Sequence, residues 1–269
     1  MLKININTSP LFSIVTVIYN DLKGLILTHE SIALQTYKNF EWIIIDGASN
    51  DGTVDYIKSI EESVATWTSE KDSGIYDAMN KGILKCNGQY IVFMNAGDAF
   101  SDKFVLQRVS DLILNNNKSY DVIFGGATLK FLNGKSHFRP ARKVESYIWN
   151  GLPASHQATY YLRERLLSTR YDLNYHVSAD YHIIAALYMQ GISSAYLDSS
   201  LVDFRVGDFS YQHPMATLIE GYKIQRYVLK SPRLLLMKSF ARRAIAIAGV
   251  FFLSQPFFVL FEKIRNNNK

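Results

Sequence analysis

The segment "GQYIVFMNAGD", residues 88–98, decides the fold class of this chain. Its centre, "QYIVFM" (89–94), is a short apolar run rich in β-branched and aromatic residues, which predicts a buried β-strand. The run stops abruptly at "NAGD" (95–98), a polar and turn-prone tetrapeptide that ends in the carboxylate of Asp98. A predicted core strand therefore delivers an acidic side chain to its own end.

Strand-like and helix-like segments alternate through the first 125 residues. This βαβα alternation predicts an α/β fold with a mainly parallel central sheet that is covered by helices on both faces. Ligands of such sheets gather at the carboxyl ends of the strands, where Asp46 and Asp98 are expected to converge on one crevice. The predicted strands are 12–19, 40–46, 63–70, 89–94 and 120–126. The predicted helices are 20–37, 53–63, one that begins at Ile75, and 104–115.

Two common phosphate-binding motifs are missing from the sequence. No GxGxxG follows the first predicted strand, and no GxxxxGK[ST] occurs anywhere in the chain. A carboxylate at a strand terminus suits a hard divalent cation, and such a cation in turn suits a diphosphate. A metal ion is therefore the natural partner for diphosphate charge at this edge. For any single acid, a role as a turn residue or helix N-cap stays open.

Composition and charge restrict the class of protein. The chain has 269 residues, of which 48% are hydrophobic, and this suits one large globular domain with a small appendage. A single cysteine excludes an internal disulfide framework. Residues 223–269 carry ten Lys/Arg and one acid, a net charge of +9, whereas the remaining residues hold 19 basic and 23 acidic groups. Such asymmetry indicates a basic tail that meets nucleic acid or a membrane surface.

Four ordered blocks of sequence resemble the family 2 glycosyltransferases with the GT-A fold. They are "SIVTVIYND" (13–21), "FEWIIIDGASNDGT" (40–53), "SEKDSGIYDAMNKGI" (69–83) and "GQYIVFMNAGD" (88–98). The resemblance covers roughly residues 11–210. More narrowly, the sequence is similar to bacterial enzymes of O-antigen, capsule or exopolysaccharide synthesis. It implies an inverting transferase that uses a nucleotide-diphosphate sugar, commonly a UDP-sugar, together with Mn²⁺ or Mg²⁺.

The resemblance also implies which residues hold the donor nucleoside. The strand end from Val17 to Asn20 would cradle it through backbone groups and the ring of Tyr19. Asp46 would accept a hydrogen bond from an N–H group of the base, such as that of uracil. The other interpretation of Asp46 is a turn-forming acid that opens the following polar loop.

Further donor contacts are expected from the third and fourth blocks. Asp77 and Asn80 lie on the helix face opposite Ile75, Met79 and Ile83, so they are expected to point into the crevice. A solvated helix face with an Asp77–Lys81 pair is the alternative. Asn95 is expected near the sugar or ribose of the donor.

The metal motif departs from the family pattern. Glycosyltransferases of this kind usually carry Asp-x-Asp or a run of acids, whereas here Ala96 stands at the first position. Asp98 is thus the expected metal ligand. One carboxylate, with two phosphate oxygens and waters, is enough for Mg²⁺ or Mn²⁺, which commonly bind through substrate.

The resemblance places the catalytic base and an acceptor-side pair in the later half. Asp180, in "YHVSADYHIIAALYMQG" (175–191), matches the acid that precedes a helix and deprotonates the acceptor hydroxyl. A helix N-cap is its alternative role. His156 and Gln157 resemble a motif that lines the acceptor side, although a lone histidine is also often structural. The segment "FRVGDFS" (204–210) resembles a loop that closes the donor site.

The C-terminal segment has three possible roles. Residues 244–261 are uncharged and flanked by charges, but Pro256 interrupts this run. We expect in-plane docking on an anionic membrane, with packing on the catalytic domain or spanning of the bilayer as alternatives. No nucleic-acid-binding signature accompanies the basic residues.

The predicted domains are a catalytic domain at 1–222, with a nucleotide-binding half at 11–125 and an acceptor half at 126–222, and a docking segment at 223–269.

These features predict a glycosyltransferase that adds a sugar to a hydroxyl of a lipid-diphosphate-linked saccharide for surface polysaccharide synthesis. The N-terminus lacks a charged region followed by a continuous apolar run, so a cytoplasmic protein on the inner face of the cell membrane is expected. The reduced metal motif leaves a second hypothesis, a catalytically weak sugar-nucleotide-binding subunit of a polysaccharide assembly complex. Release of the nucleotide diphosphate distinguishes the two hypotheses.

Overall fold

A computed structural model of the chain describes residues 9–115, 118–131, 134–205 and 213–252. The described residues form one nine-stranded sheet with helices on both faces, which confirms the predicted α/β class. Most of the segment 204–210 and the end of the tail lie outside the described residues. The strands are β1 Phe12–Ile18, β2 Phe40–Asp46, β3 Thr66–Ser69, β4 Tyr90–Phe93, β5 Ala99–Phe100, β6 Val122–Lys130, β7 Ser136–Arg139, β8 Thr159–Leu162 and β9 Ser194–Arg205.

In the first half of the chain the helices alternate with the strands. At the C-terminal end of the described chain, helices follow one another. Short 3₁₀ turns occur at Glu61–Ser63 and His156–Ala158, and a π-helical turn occurs at Ile224–Val228. The helices are α1 Leu22–Ala33, α2 Thr53–Ser59, α3 Ile75–Lys85, α4 Val105–Asn115, α5 Val144–Tyr147, α6 Arg163–Ser168, α7 Ala179–Met189, α8 Pro214–Lys223 and α9 Arg233–Phe252.

The strand order is β3-β2-β1-β4-β8-β6-β9-β5, with β7 paired to β6. The first four strands in this order run parallel, as the alternating pattern predicts. Beyond them the sheet is mixed, because β8 is antiparallel to both β4 and β6. Tyr90 pairs with Leu162 and Val92 with Tyr160, so β8 begins beside the end of β4. This antiparallel insertion brings the 3₁₀ turn at His156–Ala158 next to the polar turn after β4.

Apolar side chains of β1 pack on both faces of the sheet. Val15 and Val17 join one buried cluster, with residues of α3 and α7, whereas Ile14 and Ile18 join the other, with residues of α1 and α4. Alternation of side chains along a strand explains this division. Each large apolar side chain that is fully buried stabilises the fold by roughly 1.5–3 kcal/mol, so burial on two faces fixes the central strands firmly.

Helix α3 lies flush against the sheet. Met79 and Ile83 are buried, which confirms the apolar face that their spacing predicts. A Cβ atom added to Gly82 would lie only 2.5 Å from Cγ1 of Val15, so a larger residue would push the helix away from β1. The close approach fixes the position of the loop that precedes α3.

The C-terminal helices pack along one side of the rest of the protein. Gln225 Nε2 donates hydrogen bonds of 2.5 Å to the carbonyl of Trp149 and 2.7 Å to Ser239 Oγ. The guanidinium of Arg243 lies 5.2 Å from the ring centroid of Tyr181. No helix among residues 9–252 that the structure describes is long and apolar enough to cross a membrane. A domain boundary at residue 222 stays a prediction, and that position lies inside α8.

Candidate active site

The polar turn after β4 is held in a defined conformation. Asp98 N–H donates to the carbonyl of Asn95 at 3.0 Å, and Gly97 has a φ of 92°. A positive φ at the third residue of such a turn favours glycine. Thr28 Oγ1, from α1, donates to the carbonyls of Asn95 at 3.1 Å and Asp98 at 2.7 Å. The turn therefore holds the side chains of Asn95 and Asp98 on a rigid backbone. The sequence contains no pattern that predicts this role of Thr28.

The turn at the start of β8 meets the turn after β4. Gln157 Nε2 donates to Asp98 Oδ2 at 3.1 Å, and Asn95 Nδ2 lies 3.3 Å from His156 Nε2. Asp98 and Gln157 are both 6% exposed, so their hydrogen bond is shielded from water. Two pairs of residues that the sequence predicts as separate donor-side and acceptor-side features are thus in contact.

Asp180 lies in the first turn of α7 and completes the cluster. The residue before the helix is Ser178, so Asp180 does not occupy the N-cap position that is its alternative role. Its Oδ1 accepts a 2.7 Å hydrogen bond from Tyr181 N–H, and its Oδ2 lies 3.9 Å from His156 Nδ1. The site therefore runs from Asp98 and Gln157 through Asn95 and His156 to Asp180.

Burial changes the protonation of Asp180 and His156 in opposite directions. It raises the pKa of Asp180 to about 6 and lowers the pKa of His156 to about 4. At neutral pH the histidine is neutral and the carboxylate is ionised, so the 3.9 Å approach between them is not an ion pair. The side chain of Asp180 is 18% exposed and that of His156 is 20% exposed, so a ligand can reach each of them.

Buried tyrosines surround Asp180 on the core side. Burial, and then the charge of Asp180, raises the pKa of Tyr76 and of Tyr161. Tyr76 and Tyr171 stack with ring centroids 5.3 Å apart. This aromatic floor removes water from one side of the carboxylate, which is the main reason for its high pKa. A pKa near the physiological range is what a general base requires.

Asp46 has a different environment at the end of β2. It is completely buried, and its carboxylate accepts hydrogen bonds from Ser49 N–H at 3.0 Å, from Ser49 Oγ and from Ser69 Oγ at 2.5 Å. These contacts tie the loop after β2 to β3, as in the turn-forming interpretation. A contact between Asp46 and a base stays a prediction.

The ends of β1 and β2 are joined by hydrogen bonds. Asn20 has a φ of 49°, its N–H donates to Ser49 Oγ at 2.8 Å, and its Oδ1 accepts from Asn50 N–H at 2.9 Å. Val17 is buried, and its carbonyl accepts from Ala96 N–H at 3.2 Å. Tyr19 is 67% exposed, so its ring is open to a ligand.

Asp77 and Asn80 make contacts within the protein. Asp77 Oδ2 accepts from Ser73 N–H at 3.0 Å and lies 3.6 Å from Lys81 Nζ, as in the alternative of an ion pair on the helix. Both ends of the Asn80 amide bond the backbone of Tyr171 at 2.9 Å. These bonds attach α3 to the loop after α6. The donor-binding role of both residues stays a prediction.

The oxygen atoms at the end of β4 suit a hard divalent cation. Asp98 supplies a carboxylate, and Asn95 Oδ1 is a buried oxygen that accepts no hydrogen bond from any described residue. The described ranges contain no group of three or more His, Cys, Asp or Glu that could hold a metal ion. Such a sparse set fits a cation that takes most of its ligands from substrate phosphates and water.

Comparisons with known proteins agree with this arrangement. The model of the family "Glycosyl transferase family 2" matches residues 13–174. An uncharacterised glycosyltransferase of Mycobacterium tuberculosis is 38% identical over 107 residues, which cover 39% of this chain and only 41% of that protein. A PGL/p-HBAD biosynthesis glycosyltransferase of Mycobacterium bovis is 28% identical over 228 residues, which cover 78% of this chain and 86% of that protein.

Solved structures share the fold at low sequence identity. Staphylococcus aureus TarS, residues 1–349 with UDP-GlcNAc, matches 93% of this chain and 75% of its own chain, with a TM-score of 0.65 and 14% identity. The mannosyltransferase PcManGT of Pyrobaculum calidifontis, with GDP-Man and Mn²⁺, matches 96% and 80%, with a TM-score of 0.64 and 12% identity. The arrangement of strands and helices is therefore shared with TarS and with this mannosyltransferase.

Proposed function

Because the chain belongs to glycosyltransferase family 2, we propose that it transfers one sugar, with inversion, from a UDP-sugar to a hydroxyl of a lipid-diphosphate-linked saccharide. The observation that carries this proposal is the contact series from Asp98 and Gln157 through Asn95 and His156 to Asp180. It connects an expected diphosphate site to an expected base over a short distance. The product class would be a bacterial surface polysaccharide of the O-antigen, capsule or exopolysaccharide type.

Asp180 acts as the general base in this proposal. The acceptor oxygen attacks the anomeric carbon, the bond from that carbon to the diphosphate breaks, and the nucleotide diphosphate leaves with the electron pair. The hydroxyl proton passes to Asp180, for which we assign the Oδ2 atom that lies towards His156. Since burial raises the pKa of Asp180 to about 6, the carboxylate is ionised at neutral pH and still basic enough to accept a proton.

The donor occupies the crevice at the ends of β1, β2 and β4. The exposed ring of Tyr19 would stack on the base, and Asp98 and Asn95 would hold Mn²⁺ or Mg²⁺ beside the diphosphate. When bound, the cation supplies charge stabilisation for the leaving diphosphate. Gln157 fixes the side chain of Asp98, and neutral His156 separates the diphosphate side from Asp180. The relatives that bind UDP-GlcNAc and GDP-Man support a nucleotide-sugar donor.

A turnover experiment tests this proposal. Purified protein is incubated with labelled UDP- and GDP-sugars and a lipid-diphosphate saccharide, with Mn²⁺, with Mg²⁺ or with a chelator. We expect release of the nucleotide diphosphate that depends on the acceptor and on the metal. Tight binding of a donor without turnover under every condition would favour the second hypothesis, a sugar-nucleotide-binding subunit of an assembly complex.

We also propose that the protein attaches to the inner face of the cell membrane through its C-terminal helices. The cationic apolar face comprises the exposed residues of 223–245 in α8, the π-helical turn and α9. Leu234 is 66% exposed and Met237 is 70% exposed, although the opposite side of α9 packs on the protein. A groove of about 660 Å³ lies on this face and includes Arg226 and Arg233. Exposed apolar groups with neighbouring cations suit an anionic lipid surface.

The membrane proposal needs point substitutions rather than a truncation. Removal of residues after Tyr222 would also remove Gln225 and Ser239, which are buried against the catalytic body. We expect the wild type to pellet with anionic vesicles and to be only partly released by high salt, since buried apolar area is not screened.

The matched variants distinguish docking from general loss of solubility. Leu234→Asp with Met237→Asp should weaken vesicle binding, whereas Leu114→Asp on α4, where the side chain is also 59% exposed, should not. Vesicle binding by the double variant that equals wild type would contradict docking through this face. The aromatic residues beyond 252 lie outside the described residues, and their part in binding stays a prediction.

A further inference from the structure

Glu220 is a buried acid in the most basic part of the described chain. Residues 213–252 contain seven Lys/Arg and one acid, which is Glu220. Simple charge balance would favour this carboxylate on the cationic surface, yet it is only 6% exposed. A buried carboxylate is costly unless hydrogen bonds compensate for the lost water, so its partners indicate its role.

Those partners are three consecutive backbone N–H groups. Oε1 of Glu220 accepts from His176 N–H at 2.8 Å, and Oε2 accepts from Val177 N–H at 3.0 Å and Ser178 N–H at 2.8 Å. Successive N–H groups that point into one concavity form an anion-binding nest. Hydrogen bonds to an ionised acceptor are roughly twice as strong as neutral ones. Helix α8 thus holds a segment that is more than forty positions away in sequence.

The same segment is held from its other side by α3. Tyr76 Oη donates to the carbonyl of Val177 at 2.8 Å. Ser178 is the residue that precedes α7, and Asp180 follows two positions later. Just beyond, Tyr181 Oη donates to the carbonyl of Ile148 at 2.6 Å. The approach to α7 therefore has its N–H groups fixed by one helix and a carbonyl fixed by another.

We propose that Glu220 is a positioning residue of the transfer reaction, whose carboxylate fixes the 176–178 segment and thereby aims Asp180 at the acceptor hydroxyl. The inference rests on the proposed function of Asp180 as the base. Glu220 does not touch the reacting atoms in this view. It acts because a misplacement of a catalytic group by about 1 Å costs about a hundredfold in rate.

The charge of Glu220 has a second consequence that a purely structural role lacks. After burial, the negative charge of Glu220 contributes to the raised pKa of Asp180. Loss of that charge lowers the pKa of Asp180, and so does any loosening that admits water to the carboxylate. The pH dependence of transfer therefore reports on Glu220 independently of stability.

The test compares Glu220→Gln and Glu220→Asp with Glu164→Gln, a change at an exposed acid on α6. For Glu220→Gln we expect kcat for transfer to fall about 10- to 100-fold, with KM for the donor within about twofold. The acidic limb of kcat/KM should move to lower pH. Glu220→Asp keeps the charge on a shorter side chain, so it should lose rate but retain more of the wild-type limb. Glu164→Gln should change neither quantity.

Hydrogen exchange gives a readout that does not depend on activity. In the Gln variant the amides of residues 176–178 should exchange faster, while those of Ile91 and Val92 in β4 should stay as slow as in wild type. If the Gln variant unfolds, so that β4 also exchanges quickly, the Asp variant carries the test through its rate and pH limb. Wild-type kcat and an unchanged limb in a folded variant with faster exchange at 176–178 would overturn the proposal. If wild type itself transfers no sugar, the proposed function has failed instead.

Discussion

Two carboxylates, the fully buried Asp46 at the end of β2 and the partly buried Asp180 in the first turn of α7, have opposite environments. Asp46 accepts hydrogen bonds from one backbone N–H and two serine hydroxyls. Asp180 accepts one from Tyr181 N–H, stands over buried tyrosines and has a pKa raised by burial to about 6. A buried acid with a full set of donors holds structure, whereas a buried acid with few donors is prepared to take a proton.

The two regions differ in which carboxylate accepts the nearby hydrogen bonds. Near Asp46, both serine hydroxyls point at the carboxylate itself. Near Asp180, three successive N–H groups point at Glu220 instead. The residue type and its place beside a helix or strand end are the same in both regions. The surrounding donors therefore favour a structural role for Asp46, and they support the proposed role of Asp180 as the base.

The largest expected effect is at Asp98, the acid in the polar turn after β4. Asp98→Ala removes the expected carboxylate ligand of the cation, so transfer should be lost, a cost of several kcal/mol in barrier height. The measurement is kcat across a Mn²⁺ titration. Asp111→Ala on α4, which removes an exposed acid, is the control. Near-normal turnover with the usual metal dependence in Asp98→Ala would show that the cation is held elsewhere.

Asp180→Asn tests the proposed base directly. The substitution is nearly isosteric but cannot accept a proton, so transfer should fall about 10²–10⁴-fold while donor binding survives. Single-turnover rates and donor affinity by calorimetry provide the two quantities. A wild-type rate in this variant would remove Asp180 from the chemistry, and Asp77 would then be the next candidate for the base.

Substitution of the two acids should change the free energy of unfolding in opposite directions. Asp180 has a folded-state pKa of about 6, above its unfolded value, so its cost to stability is absent below about pH 4, grows through pH 4–6 and is complete above pH 6. Asp180→Asn should therefore raise the free energy of unfolding at pH 8 by about 3 kcal/mol. Asp46→Asn should lower it by about 1–3 kcal/mol, because the amide nitrogen at this buried position cannot accept the hydrogen bonds that one carboxylate oxygen now accepts.

Urea titrations of both variants at pH 8 and pH 4 check this difference. The gain in Asp180→Asn should be largely absent at pH 4, since the wild-type carboxyl is then protonated in the folded state. Destabilisation of both variants at pH 8 by the same amount would show that the two acids play equivalent structural roles.

The smallest expected effect is the acidic limb of activity. If Asp180 is the base, kcat/KM should fall about tenfold per pH unit below pH 6, because only the ionised carboxylate accepts a proton. His156 should not contribute to this limb, since burial lowers its pKa to about 4. Rate profiles between pH 4.5 and pH 8 measure it, and a limb retained in the residual activity of Asp180→Asn would assign it to another group.

Much of the first half of the fold could be predicted from sequence, because its determinants are local. The apolar runs of β1, β2 and β4 and the polar turns that follow them give each strand and its end within a residue or two. The four sequence blocks also predict the family, which the match over residues 13–174 confirms. The predicted, mainly parallel sheet is confirmed, since β3, β2, β1 and β4 run parallel to one another and β6 runs parallel to β9. The antiparallel β8 lies between β4 and β6 through a long-range pairing that no local pattern encodes.

The sequence alone determined which chemical groups are present and that a strand ends in Asn95 and Asp98. The tertiary structure decided that β8 runs antiparallel to β4 and thereby sets His156 and Gln157 against that turn. It also decided the environments of the acids, because pKa and hydrogen-bond satisfaction depend on burial and on donors remote in the chain. Glu220 illustrates the reason, since its position in the basic C-terminal part of the chain predicts nothing, and only folding brings it to the N–H groups ahead of Asp180.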